Sequence, residues 1–88
     1  MNMSKQLKEL EKAIKLFGGI SNMSRAVGCM RATIYAAKRR GETIDNKEDL
    51  VKLDTGIKIE NASEGKIKMK NLCPKSFKML KMLKKHIS

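Results

Sequence analysis

The chain has 88 residues, enough for a single domain with one modest hydrophobic core. Hydrophobic residues make up 41% of it but aromatic residues only 3%, so the core must be aliphatic and rich in methionine. Its apolar segments are too short and too rich in lysine to cross a bilayer, and the N-terminal residues lack the apolar core of a signal peptide. We therefore expect a cytoplasmic protein whose main partner is not a membrane.

The net charge of +11 is spread unevenly along the chain. Residues 1–41 hold nine Lys/Arg against two acids, residues 42–65 hold three against seven, and residues 66–88 hold eight lysines and no acid. A surface that is merely solvated would mix its charges. Two basic blocks therefore favour a polyanionic partner.

Catalytic and metal-binding chemistry finds little support in the residue types present. Cys29 and Cys73 do not form a CxxC pair, and with one histidine there is no zinc-ligand set. We expect two reduced thiols, although the sequence leaves a disulfide between them open. Without paired carboxylates, a nucleophile elbow or a phosphate-binding glycine loop, we expect neither an enzyme nor a cofactor.

A helix is predicted over residues 5–17, capped by Ser4 and ended by Gly18-Gly19. Its apolar residues fall on one stripe and its lysines on the other, so it is expected to pack across the helices that follow. The apolar stripe consists of Leu7, Leu10, Ala13, Ile14 and Phe17.

The next stretch predicts two short helices joined by a tight turn. Ser21 is a good N-cap for the first helix, over residues 22–27, in which Met23 and Val27 share a face. Gly28 follows where the chain must turn sharply, because glycine adopts a positive φ without penalty.

The second helix of the pair is predicted over residues 31–40, with Ile34 and Ala37 facing inward. Its cationic last turn precedes Gly41, which is expected to be the residue just after the helix. Two helices that cross steeply around a short turn need small or apolar residues at these points, as in a helix-turn-helix. Ser24 stands where that pattern usually has alanine, and its hydroxyl needs a partner.

Residues 13–41 resemble the DNA-binding region of Cro-type phage repressors, and more closely the YdaS-like members of that superfamily. There the helix-turn-helix follows a similar A-I-x-x-x-G-G-x-S run, here Ala13 to Ser21. Residues 59–67 and 71–74 resemble the segment after the family's recognition helix. The resemblance implies a mainly α, lambda-repressor-like bundle from a bacterial or phage genome. It also implies sequence-specific binding of double-stranded DNA as a homodimer on a palindromic site.

The outward side of the second motif helix carries the residues that can read bases. The resemblance assigns this role to Met30, Arg31, Ala32, Tyr35 and Ala36. Arginine pairs with the O6 and N7 of guanine, and alanine or methionine contacts a thymine methyl. As the only tyrosine, Tyr35 is also open to a place in the core.

Phosphate contacts are predicted at both ends of the motif. Ser21 and Asn22 offer backbone N–H groups and short polar side chains at a helix start, and capping by Ser21 is compatible with this role. Arg39 and Arg40 are expected to bind phosphates beside the groove, whereas Lys38 is left open.

The sequence of residues 42–62 predicts secondary structure less clearly. Residues 42–53 depart from the family's pattern and resemble an insertion. Asp45 and Glu48 have capping-box spacing for a short helix, whose acidity would place it away from the phosphates. Residues 54–62 are, by resemblance, a helix capped by Asp54 with Ile59 and Ala62 inward. The alternation of Ile57 and Ile59 instead fits a short β-hairpin, with residues 66–70 as a strand with one basic face.

The tail predicts a basic amphipathic helix over residues 75–87 that begins at Pro74. The chain thus divides into a helix-turn-helix domain, residues 1–73, and a basic C-terminal helix, residues 74–88. Three roles for this helix stay open: packing on its own domain or a second subunit, contact with DNA phosphates, and binding to a membrane surface. His86 is expected to be solvated.

Three functions remain open on these grounds. The first is a repressor-like transcriptional regulator that occupies an operator through residues 31–40. The second is an antitoxin-type module that binds a cognate toxin and contacts DNA secondarily, and the third is a non-specific polyanion or membrane-surface binder. Only base contacts, worth about 1–3 kcal/mol each, separate the first from the third.

Overall fold

A computed structural model describes the backbone of residues 3–87 and the side chains of residues 3–84. This range holds helices and no strand, so the prediction of a mainly α fold is confirmed. The helices are α1 (Lys5–Phe17), α2 (Ile20–Val27), α3 (Arg31–Gly41), α4 (Leu53–Ala62), α5 (Met69–Leu72) and α6 (Pro74–Ile87).

Helix α1 forms where the sequence predicts it. The Ser4 hydroxyl accepts a hydrogen bond from the Leu7 amide at 3.1 Å, which satisfies one of the free donors of the first turn. At the other end Gly18 adopts φ +84°, and the Gly19 amide donates to the Ile14 carbonyl at 2.9 Å. The predicted cap and the predicted end are both confirmed.

The core lies around α1, which packs against α2, α3 and α5. The core-facing residues predicted for the first three helices are at most 6% exposed: Leu7, Leu10, Ala13, Met23, Val27, Ile34 and Ala37. Ile14 and Phe17 are partly buried against them. The periodic pattern thus identifies the inward faces correctly.

Gly41 does not follow α3, as the sequence predicts, but is its last residue and is buried. A Cβ atom added there would lie 2.9 Å from the Cβ of Leu7. Glycine is therefore required because α1 and α3 approach closely at this point.

Residues 42–52 form turns rather than the short helix that the capping-box spacing predicts. The Asp45 carboxylate accepts from the Lys47 amide at 2.7 Å, which closes a local turn instead of a helix start. Leu50 is drawn into the core, where its amide donates to the Leu72 carbonyl at 2.8 Å. The Gln6 amide group holds the loop from α1 by donating to the carbonyls of Asp45 and Glu48.

Residues 53–62 are helical, so the β-hairpin alternative is wrong and the helical one is confirmed. Ile59 points inward and is 1% exposed. Asp54 is not the cap, because the helix begins at Leu53 with Lys52 at the N-cap position.

The predicted strand at residues 66–70 does not form either. Ile67 is fully buried between α4 and α5, and its amide donates to the Ser63 hydroxyl at 2.9 Å. The Ile67 amide therefore binds a side chain and does not pair with a strand. Helix α5 begins two residues later, at Met69.

Helix α6 begins at Pro74, as predicted, and packs mainly against α5. Its first turns half-bury Phe77 and Leu80, whereas Met79, Met82 and Leu83 are each more than half exposed. The predicted solvation of His86 lies outside the described side chains.

Candidate nucleic-acid interface

Helices α2 and α3 are joined by three residues, from Gly28 to Met30. Gly28 has φ +79°, and no atom lies within 4 Å of a Cβ built on it, so glycine is needed for its conformation and not for space. The amides of Gly28 and Cys29 both donate to the Ser24 carbonyl, at 2.9 and 3.1 Å. These bonds close α2 and aim the chain into α3.

The Ser24 hydroxyl, which is expected to need a hydrogen-bond partner, donates to the Ser21 carbonyl at 2.9 Å. It therefore fits in a helix without leaving an unsatisfied polar group. Cys29, just past the turn, is half-buried, and burial raises the pKa of its thiol.

Helix α3 buries one side and exposes the other. Ile34, Ala37 and Gly41 face the domain. All five residues predicted to read bases are exposed: Met30, Arg31, Ala32, Tyr35 and Ala36. Among them Met30 is 70% and Tyr35 52% exposed, so the alternative of a core tyrosine is wrong.

The Arg31 guanidinium has no hydrogen-bond or ion-pair partner among the side chains and backbone that the structure describes. It extends from the first turn of α3, beside the exposed Met30. Its five N–H donors thus remain open to an external acceptor.

The phosphate ligands predicted for α2 are placed differently from one another. Ser21 is not the N-cap, since α2 begins at Ile20 with Gly19 at φ +121° as its cap residue. The two glycines let the chain reverse earlier than the capping rule suggests, so Ser21 lies exposed in the first turn. Asn22 is exposed, but its amide donates to the Gly18 carbonyl and accepts from Arg25.

The three cationic residues at the end of α3 differ in their contacts. Lys38 pairs with Glu11 of α1 at 3.6 Å, and Arg39 is exposed. Arg40 donates from Nε to the Asp49 carbonyl at 3.2 Å. The acidic loop of residues 42–52, which contains Asp49, therefore contacts Arg40, one of the predicted phosphate ligands. This is contrary to the expectation that the acidic loop lies away from the phosphates.

A groove runs between α3 and the chain that enters α4. Thr33 and Arg40 line one wall, and Lys52 and Thr55 line the other. The sequence reasoning did not single out Thr33 or Lys52. Thr33 lies in α3, and Lys52 is brought beside it by the loop before α4, in which Leu50 and Val51 are buried; that long-range placement has no local signal in the sequence.

Cys73 is buried and free, and its thiol donates to the Val51 carbonyl at 3.1 Å. Burial, with the nearby charge of Asp49, raises the pKa of this thiol to about 11. Cys29 is also free, so the disulfide left open by the sequence is not present. Within the described residues, no group of three or more His, Cys, Asp or Glu is placed to hold a metal ion.

Comparison with protein-family models, curated proteins and solved structures gave no match to this chain. In the described part of the chain, no helix has both the length and the apolar character needed to cross a membrane.

Proposed function

We propose that this chain is a sequence-specific DNA-binding transcriptional regulator that acts by occupying an operator, with α3 in the major groove. One observation carries the proposal: α3 buries one side in its own domain and leaves Arg31, Ala32, Tyr35 and Ala36 exposed. The Gly28 turn and the resemblance of residues 13–41 to Cro-type and YdaS-like repressors support it, as does the net charge of +11.

Each exposed residue of α3 has a role in this proposal. Arg31 forks onto the O6 and N7 of a guanine, and the Tyr35 hydroxyl reaches a base or a phosphate. Ala32 and Ala36 are small enough to let the helix approach the bases and to contact thymine methyl groups. Arg39 binds a phosphate at the edge of the groove.

A second set of phosphate contacts lies at the start of α2 and the end of α3. The first turn of α2 presents unpaired backbone N–H groups beside the exposed Ser21 and Asn22, while Gly19 supplies no side-chain cap. Arg40 keeps its terminal guanidinium nitrogens available while Nε is bound to Asp49.

The first test is selection of bound duplexes from a random pool, followed by binding of the selected and a scrambled duplex. The Arg31→Ala variant is expected to lose about 1–3 kcal/mol of discrimination while keeping most of the salt-dependent affinity. The matched control is Lys38→Ala, whose ammonium is paired with Glu11. If Arg31→Ala lowers both affinities in parallel, Arg31 is a phosphate ligand and the readout role is wrong.

We also propose that two copies bind a palindromic site as a homodimer, because one short helix with a single arginine at its start reads few bases. Two such helices require half-sites about 34–36 Å apart. The mass of the complex on the selected duplex tests this directly. A complex that contains one copy on a palindromic duplex would rule the dimer out.

An antitoxin-type module is the second candidate function, and one observation favours it. The exposed Met79, Met82 and Leu83 form an apolar edge on α6 that could bind a toxin protein. Co-purification with the product of an adjacent small reading frame, lost in Met82→Ser/Leu83→Ser, would support this function. A stable complex that survives this double substitution would count against it.

A further inference from the structure

Helix α6 carries four lysines at intervals of three residues: Lys75, Lys78, Lys81 and Lys84. All four are exposed, and successive members lie about 4.5 Å apart along the helix axis. We call this row the lysine ridge. Residues 66–88 contain no aspartate or glutamate.

The ridge begins beside the C-terminal end of α3, because Asp49 joins the two helices. Its carboxylate accepts from the amides of Lys75 and Ser76, at 2.9 and 3.1 Å, and from the Ser76 hydroxyl. Its carbonyl accepts from Arg40 Nε at 3.2 Å. One groove is lined by both Arg40 and Ser76. The charge of Asp49 is thus used to cap α6, at the point where the ridge meets α3.

The structure and charge of α6 favour a polyanion as its partner over another protein, a second copy of the chain or a membrane surface. On the surface of the helix Met79 and Leu83 lie opposite Lys81, whereas Met82 is one turn from Lys78 and shares its side. A stable protein interface buries about 800 Å² on each partner, so a protein bound at the apolar edge of α6 needs contacts well beyond these three exposed side chains. A second copy paired along α6 would bring lysines together. The same short edge, with no aromatic residue in it, gives a membrane little to hold.

We propose that the lysine ridge is a second DNA-backbone binding surface, which continues the phosphate contacts of α3 beyond the bases that α3 reads. This inference rests on the proposed function, since it places the ridge on the same duplex. The proposal requires positive charge on α6 and a helix long enough to meet phosphates beyond α3. The exposed lysines supply the charge, and α6 extends about 21 Å from its junction with Arg40. The ridge adds affinity and salt dependence and leaves base discrimination to α3.

The test compares two matched pairs of substitutions in the full chain. Lys75→Gln/Lys78→Gln removes two ridge charges, and Lys8→Gln/Lys15→Gln removes two exposed charges from α1. Glutamine has nearly the helix propensity of lysine, so both variants are expected to fold, which circular dichroism checks. Binding to the selected and the scrambled duplex is measured over a range of salt concentrations, and each variant is also tested with anionic phosphatidylserine vesicles.

The ridge variant is expected to reduce the slope of log K against log salt by about 1.8 in magnitude, or 0.9 per phosphate, on both duplexes. The ratio of the two affinities stays unchanged, and so does the slope of the α1 variant. Equal slopes for the two pairs overturn the proposal, as does a ridge variant that loses only vesicle binding. If no sequence is enriched by selection but the ridge variant still lowers the slope, the ridge is confirmed and the sequence-specific function fails.

Discussion

At the scale of single residues, the domain depends on a few positions where size or protonation is fixed by close contact. Gly41 has no space for a Cβ atom against Leu7. The thiol of Cys73 is buried in the core and donates its proton in a hydrogen bond to the Val51 carbonyl. Neither constraint could be predicted from the sequence. Gly41 has the sequence context of a helix C′ glycine, and Cys73 looks like any free thiol. In both cases the partner is more than twenty residues away.

Gly41→Ala is expected to destabilise the domain by about 1–3 kcal/mol, because the added methyl group overpacks the contact between α1 and α3. Urea unfolding measures the loss. The matched comparison is Leu7→Ala/Gly41→Ala, which removes the contacts with Leu7 Cδ1 and Cγ at 3.1 and 3.2 Å but keeps the Cβ contact, so that part of the overpacking is relieved. The two substitutions should then cost less together than the sum of their separate effects. Strict additivity would show that the contact is looser than described.

Cys73 predicts a loss of stability at alkaline pH. Its pKa is raised from 9.0 to about 11 in the folded state, so its contribution is complete below pH 9 and is lost as the pH rises toward 11. The contribution is on the order of 2–3 kcal/mol. Because lysines and the tyrosine titrate in the same range, the difference in unfolding free energy between the wild type and Cys73→Ala is measured. That difference should shrink between pH 8 and pH 11, and a constant difference would contradict the raised pKa.

At the scale of elements, local signals predicted the helices and long-range contacts decided the loops. The bounds of α1 and α6 are as predicted and α3 ends one residue later than predicted, because caps, glycines, Pro74 and 3.6-residue periodicity lie within each segment. Residues 42–52 and 66–70 were mispredicted because Gln6, Leu72 and Ser63 hold them from elsewhere in the chain. The exposed side of α3 was predictable because the buried side was.

The capping of α6 by Asp49 gives a prediction at this scale. Asp49→Ala is expected to cost about 1 kcal/mol and to speed hydrogen exchange at the first amides of α6, since Lys75 and Ser76 lose their acceptor. Arg40 should be unaffected because it binds the carbonyl of residue 49, which the substitution keeps. Asp45→Ala is the control in the same loop. Unchanged exchange at residues 75 and 76 in Asp49→Ala would show that packing on α5 alone holds the helix start.

At the scale of the whole molecule, charge sets the conditions under which the fold is stable. The positive charges that make up a net charge of +11 on 88 residues repel one another, and among the described side chains Lys38 and Glu11 form an ion pair at 3.6 Å. Both partners are about 40% exposed, so this pair contributes little. The fold therefore depends mainly on its aliphatic core, and the described ion pair does little to offset the repulsion.

Salt should consequently stabilise the free protein. Raising ionic strength from about 0.01 M to about 0.15 M shortens the Debye length from roughly 30 Å to roughly 8 Å, which screens most of the repulsion between the basic blocks. The midpoint of thermal unfolding is expected to rise over this range. Lys8→Gln/Lys15→Gln should reduce the rise, because it lowers the net charge without removing a described contact. A midpoint that falls with salt would mean that attractive pairs dominate.

The Ser4 hydroxyl, which caps α1, also donates to the carbonyl of Gly41 at 2.9 Å. One oxygen atom near the start of the chain therefore fastens the far end of the helix that we propose reads DNA. Removal of the Ser4 hydroxyl would break this bond while leaving every exposed side chain of α3 in place.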